Sequence, residues 1–104
     1  MPRENQFQAK LIKEIKDLFP GCIVIKEPSN YIQGLPDLLI LYNNHWAALE
    51  CKRSLREVND IRYHQPNQDY YVGKMDKMSF ASFISPENKE EVLNAVQQSF
   101  ESSR

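Results

Sequence analysis

No apolar run in this chain approaches the roughly 18 residues that a helix needs to cross a bilayer, so no membrane span is expected. The first residues, Met-Pro-Arg-Glu-Asn-Gln, carry no apolar leader, which points to an intracellular, cytoplasmic protein. Cysteine is scarce: Cys22 and Cys51 both fall in apparent strands. Without an export signal they read as buried reduced thiols rather than as a disulfide or a metal knuckle. Internal repeats, low-complexity tracts and linkers are missing, and 104 residues make one domain around one core. An excess of positive charge is missing too. A net charge of −1 argues against a generally basic nucleic-acid coat.

What is present is an ordinary globular composition, 41% hydrophobic and 26% charged, arranged around residues 34–52. The apolar runs Leu38–Tyr42 and Trp46–Leu49 flank Asn43-Asn44. Asn tolerates the positive φ of a two-residue turn, so the pattern predicts a β-hairpin. With Asn43-Asn44 as the loop, Tyr42 pairs with His45, and counting back puts Asp37 opposite Glu50. Lys52 shares the face of Glu50 because strand side chains alternate. A slip of one residue would scatter the three.

Opposed strand residues sit roughly 4.5–5.5 Å apart at Cβ, and like charges there repel. At 4 Å and an effective dielectric near 20 the repulsion is on the order of 4 kcal/mol. A three-member surface salt bridge is one reading, but exposed ion pairs contribute little and these strands otherwise look buried. The sharper reading is a hard-cation site. Carboxylate oxygens suit Mg²⁺, and Lys52 is placed to stabilise charge developing on a phosphate.

Along the chain, Phe7, Leu11, Ile15 and Leu18 predict a helix over 3–19, ended by Pro20-Gly21. Glu4 falls in the middle of that apolar stripe and Glu14 at its edge; fraying of the first turn into water would also explain Glu4. Cys22–Ile25 reads as a strand and 27–33 as a loop. The hairpin strands carry apolar residues on both faces, Leu39, Leu41, Trp46 and Ala48 beside Asp37, and Leu38, Ile40, Ala47 and Leu49 opposite, so helices are expected to cover both. Arg53–Gln65 has no clean period and reads as a loop over the site, with Arg53, Arg56, Arg62 and His64 available for phosphates. His64 reads as a surface residue rather than a ligand or base. A helix is expected from Pro66 to Met78, a strand over Phe80–Ile84, and a last helix started by Ser85-Pro86-Glu87. The segment 51–77 holds Lys52, Arg53, Arg56, Arg62, Lys74 and Lys77, a local basic strip that can follow a phosphate backbone or simply form a solvated surface.

Pro36-Asp37 followed by Glu50-Cys51-Lys52, with Gly34 before and helical patterns on either side, resembles the signature of PD-(D/E)XK nucleases. Within them it is most similar to the small virus-type replication-repair (VRR-NUC) nucleases and the Holliday-junction resolvases. The resemblance covers most of the chain and implies an α/β, restriction-endonuclease-like α-β-β-β-α-β-α core, a mixed sheet flanked by helices. It implies a DNA endonuclease using Mg²⁺, with Mn²⁺ able to substitute, held by Asp37, Glu50 and the main-chain carbonyl of Cys51. Lys52 would position the attacking water or stabilise the pentacovalent charge. A first-helix acid, Glu4 or else Glu14, and a site glutamine, Gln68 or else Gln65, would assist, and Asn30 and Tyr31 could touch substrate. The small phage-type members suggest branched DNA cut by a homodimer inside a host cytoplasm, with no organic cofactor and no membrane. The rivals are a general, single-strand or flap-specific nuclease of the same fold, and a catalytically silent DNA-binding module.

Overall fold

Phe7, Leu11 and Ile15 follow one another at four-residue spacing and are all buried on the inner face of α1 (Glu4–Leu18), whereas Leu18, expected in the same stripe, is exposed and Phe19, four residues after Ile15, is buried in its place. The computed structural model describes residues 4–26 and 32–102. Beyond α1, Gly21 takes a φ of +89°, a left-handed conformation that costs glycine little, and the chain turns into β1 (Ile23–Lys26). That strand starts one residue later than expected and leaves Cys22 outside it, half-buried.

The hairpin forms as the Asn pair predicts. β2 (Leu38–Tyr42) and β3 (His45–Cys51) are joined at Asn43, which has a φ of +56°. Tyr42 pairs with His45 and Leu38 with Leu49, the expected register. β1 adds antiparallel to β2, and β4 (Ala81–Ile84) adds parallel to β3, giving a mixed sheet in the order β1-β2-β3-β4.

A parallel step needs a crossover, and here the expectation of a plain loop over Arg53–Gln65 is corrected. The segment contains α2 (Leu55–Asn59) and a 3₁₀ turn (Ile61–Tyr63). Both are set by capping, which leaves no long-range period. Ser54 Oγ accepts from Glu57 N–H, and Asp60 Oδ1 accepts from Arg62 N–H at 3.0 Å. α3 (Gln68–Met78) begins two residues after Pro66, because Asn67 is left-handed at φ +71°. α4 (Lys89–Ser102) also starts late: Asn88 Oδ1 accepts from Ser85 N–H at 2.6 Å and from its hydroxyl at 3.1 Å, so Ser85-Pro86-Glu87 belongs to a turn. The order α-β-β-β-α-β-α is present, with α2 and the 3₁₀ turn inserted.

Alternation divides the core. Leu38, Ile40, Ala47, Leu49, Cys51 and Ile84 face α1 and α4 in the larger cluster. Ala48 and Ala81 face Val72 of α3, with Leu39, Trp46, Met75 and Phe83 around them. The second cover is narrower than expected. α3 packs on β3 and β4, and Ile23 and Ile25 on β1 stay 59% and 38% exposed. Among the described residues no helix is long and apolar enough to cross a membrane.

Candidate functional site

The described pairing ends at Leu38 and Leu49, and Asp37 lies in the bend just before β2. Strand alternation gives Glu50, and Lys52 beyond it, the α3 side of the sheet. Gln68, the first residue of α3, meets them there. Its Nε2 donates to Glu50 Oε2 at 2.7 Å, and its Oε1 accepts from Lys52 Nζ at 2.9 Å. Gln65 N–H donates to the same Oε1 at 3.0 Å, which fixes the amide. Lys52 Nζ also donates to the main-chain carbonyl of Tyr63 at 2.9 Å and lies 3.9 Å from Glu50 Oε2. Asp37 joins through the backbone: its Oδ2 accepts from Cys51 N–H at 2.9 Å, which lays the carboxylate against the Glu50–Cys51 peptide.

Glu50 is 2% exposed, Lys52 7% and Gln68 7%. Burying an ion pair costs several kcal/mol per ion in desolvation, and apolar residues of similar size often serve stability as well. A glutamine that holds such a pair in place is therefore a candidate for chemistry rather than for folding. Among the described residues no three or more His, Cys, Asp and Glu side chains gather as an all-protein metal cage requires. Two carboxylates on adjoining backbone meet the smaller demand of Mg²⁺, which keeps several waters and completes its shell with substrate oxygens. Asp37, Glu50 and the main-chain carbonyl of Cys51, the residue after Glu50, are the donors such an ion would meet here.

Two clefts open beside the cluster. One, of about 910 Å³, is bordered by Lys52, Arg53, Arg62, Glu57, Tyr63 and the start of α1 at Asn5 and Gln8. The other, of about 210 Å³, is bordered by Asp37, Gly34 and Ile32. Gln65 borders both. The larger is bordered by Lys52, Arg53 and Arg62, with the carboxylate of Glu57 among them.

The other sequence-predicted residues are distributed unevenly. Arg53 pairs with Glu57 at 2.7 Å, and Arg62 with Asp60 at 2.6 Å. Arg56 lies over the ring of Tyr63, 5.7 Å from its centroid. The Arg53 hydrogen bond holds the Glu57 carboxyl below its ordinary range; Arg62 lowers Asp60 to about 2, and Asp60 raises Arg62 in turn. His64, read as a surface residue, has a side chain only 6% exposed. Glu14 pairs with Lys89 of α4 at 2.7 Å. Glu4 opens α1, but its side chain lies outside what is described, and Asn30 and Tyr31 lie outside the described residues. Of the two glutamines, Gln68 reaches Glu50 and Lys52 with its side chain, and Gln65 contributes its N–H.

Sequence reasoning missed Asn5, Gln8 and the Tyr63 carbonyl. Gln8 left one faint signal, a polar residue beside Phe7 that is 9% exposed in the fold. A main-chain carbonyl leaves none, because every residue has one. A scan of family models, a search of curated proteins and a search of solved structures each return no match to this chain.

Proposed function

We propose that this chain is a metal-dependent endonuclease of the PD-(D/E)XK type that hydrolyses DNA phosphodiester bonds, selects branched DNA and acts as a homodimer. The observation that carries the reading is the Gln68 bridge, which joins Lys52 to Glu50 beside Asp37 at the rim of two clefts. Asp37, Glu50 and the Cys51 carbonyl are the residues that would hold Mg²⁺ or Mn²⁺. The ion, when bound, supplies polarisation of the phosphate and a lowered pKa for water. Lys52 donates hydrogen bonds towards the phosphoryl oxygens as charge gathers on them, giving up its bond to Tyr63 O. Gln68 keeps Lys52 and Glu50 apart and aimed. Arg53 and Arg62 exchange Glu57 and Asp60 for backbone phosphates, a cheap exchange because exposed ion pairs contribute about 0–1 kcal/mol.

Selection of branched DNA follows from size. So small a domain has few base-edge contacts, so discrimination falls to backbone shape and deformability, which a junction offers and a straight duplex does not. Symmetric cutting of two strands needs two sites related by a two-fold axis. The test is a gel assay on end-labelled duplex, flap, single-strand and four-way-junction DNA with Mg²⁺, Mn²⁺ or chelator, run beside sedimentation. Metal-dependent cleavage favouring the junction, by a dimer, is expected. No cleavage of any substrate with either metal overturns the nuclease; equal cleavage of all by a monomer overturns only the substrate and the dimer.

A further inference from the structure

The His64 side chain is only 6% exposed at a junction of three elements. Its ring stacks on Phe83 of β4, 4.4 Å between centroids and 18° between planes. Nδ1 lies 2.9 and 3.0 Å from the two carboxylate oxygens of Asp69, in the first turn of α3. Nε2 lies 3.0 Å from Glu57 O and 2.9 Å from Val58 O, carbonyls in the last turn of α2. Every one of these partners is an acceptor. A neutral imidazole carries one N–H and one lone pair, so either tautomer would set a lone pair against oxygen lone pairs. The imidazolium donates at both ends, and a cation also suits the end of a helix, where carbonyls lack partners.

The residues on either side of His64 reach the candidate site. Tyr63 O accepts from Lys52 Nζ, and Gln65 N–H donates to Gln68 Oε1. We propose that His64 is a positioning residue: clamped between the C-terminal carbonyls of α2 and Asp69 of α3, it holds the segment whose main chain fixes Lys52 and Gln68. Its bearing on catalysis rests on the nuclease reading; the clamp itself does not. Charged neighbours come from each element around it. α2 brings Glu57, engaged by Arg53, and Arg56; the 3₁₀ turn brings the Asp60–Arg62 pair; α3 brings Asp69; β3 leads to Glu50 and Lys52. Of these, Asp69 is the carboxylate hydrogen-bonded to the ring.

The test uses the whole chain and two readouts. Ring-nitrogen NMR is expected to show a His64 N–H held from exchange by its hydrogen bonds; a freely exchanging ring overturns the clamp. Amine acylation, read at Lys52 by mass spectrometry, is expected to rise at least about tenfold in His64→Leu, since a charge-assisted hydrogen bond no longer holds the segment. Exposed Lys13 serves as the unaffected internal control. His64→Gln, which still offers a donor, is expected to label less than His64→Leu, a partial rescue that simple loss of packing does not produce. Equal Lys52 labelling in a folded His64→Leu overturns the positioning role. If that variant does not fold, Asp69→Ala at a half-exposed side chain carries the same comparison with one arm removed, and unchanged labelling there overturns it equally. A wild type without nuclease activity whose Lys52 labelling still rises in His64→Leu removes the function and keeps this inference; an active nuclease whose labelling does not change does the reverse.

Discussion

Lys52 draws acceptors from three separate places: Tyr63 O, Gln68 Oε1 and Glu50 Oε2. On the proposed function, Lys52→Ala abolishes cleavage at saturating DNA while the salt slope of binding falls by only about one unit, because one phosphate contact is lost. Cleavage and filter binding on the same preparations separate the two. Glu50 carries a different expectation. Repulsion from Asp37 alone would make Glu50→Ala harmless to the fold, but here its loss leaves a buried Lys52 uncompensated. The cost should be on the order of 3 kcal/mol, read as a lowered urea midpoint. Asp37→Ala removes a carboxylate that lies against a peptide N–H and should melt closer to wild type while no longer cutting. Asp60 offers the clearest titration. Its carboxyl is lowered from 3.8 to about 2 by Arg62, so the interaction is fully present above pH 3.8 and is lost as pH falls through about 2. A carboxyl-carbon NMR titration should give that midpoint, and Arg62→Ala should return it towards the ordinary carboxylate range.

Glycine positions test the elements. Gly34 has a φ of +97°, and a Cβ there would lie 2.7 Å from the Asn67 backbone and 2.8 Å from Pro66 O. The turn before β2 and the turn before α3 are packed so closely that only hydrogen fits between them. Gly34→Ala should destabilise by more than about 1 kcal/mol and loosen the approach of α3 to Asp37. Gly73, inside α3 with open space around it, should behave oppositely, and Gly73→Ala should stabilise by about 0.5–1 kcal/mol. Urea unfolding of the pair compares them directly. Elements with a strong period or a turn signal could be read from the residues alone: the α1 stripe, the Asn43 turn, the hairpin register. α2 and the 3₁₀ turn could not, since they have no buried residue and are set by two capping side chains over a few residues. The late starts of α3 and α4 have the same origin, a side chain or a left-handed residue acting locally where Pro alone suggested a helix.

At the scale of the molecule, metal binding and fold stability are linked. If Asp37 and Glu50 hold Mn²⁺ in the absence of DNA, the ion at 100-fold over its dissociation constant adds about 2.7 kcal/mol to stability. Thermal melts with Mn²⁺ and with chelator should differ for the wild type and coincide for Asp37→Ala. An unchanged wild-type melt at saturating Mn²⁺ would remove the two-carboxylate site as a metal site in the free protein.

From the chain alone came the two strand faces, the register from Tyr42–His45 to Leu38–Leu49, and the placing of Lys52 near Glu50, because alternation and a two-residue turn are local rules that act within one hairpin. Which glutamine meets that cluster, which arginines already hold carboxylates, that His64 is buried, and that Tyr63 gives Lys52 its carbonyl were decided only when α3 and the crossover folded back on the sheet. The contacts of Lys52 with Tyr63 and Gln68, and of Gln68 with Glu50, join residues 11 to 18 positions apart across separate elements, and no period in the sequence carries a distance of that kind.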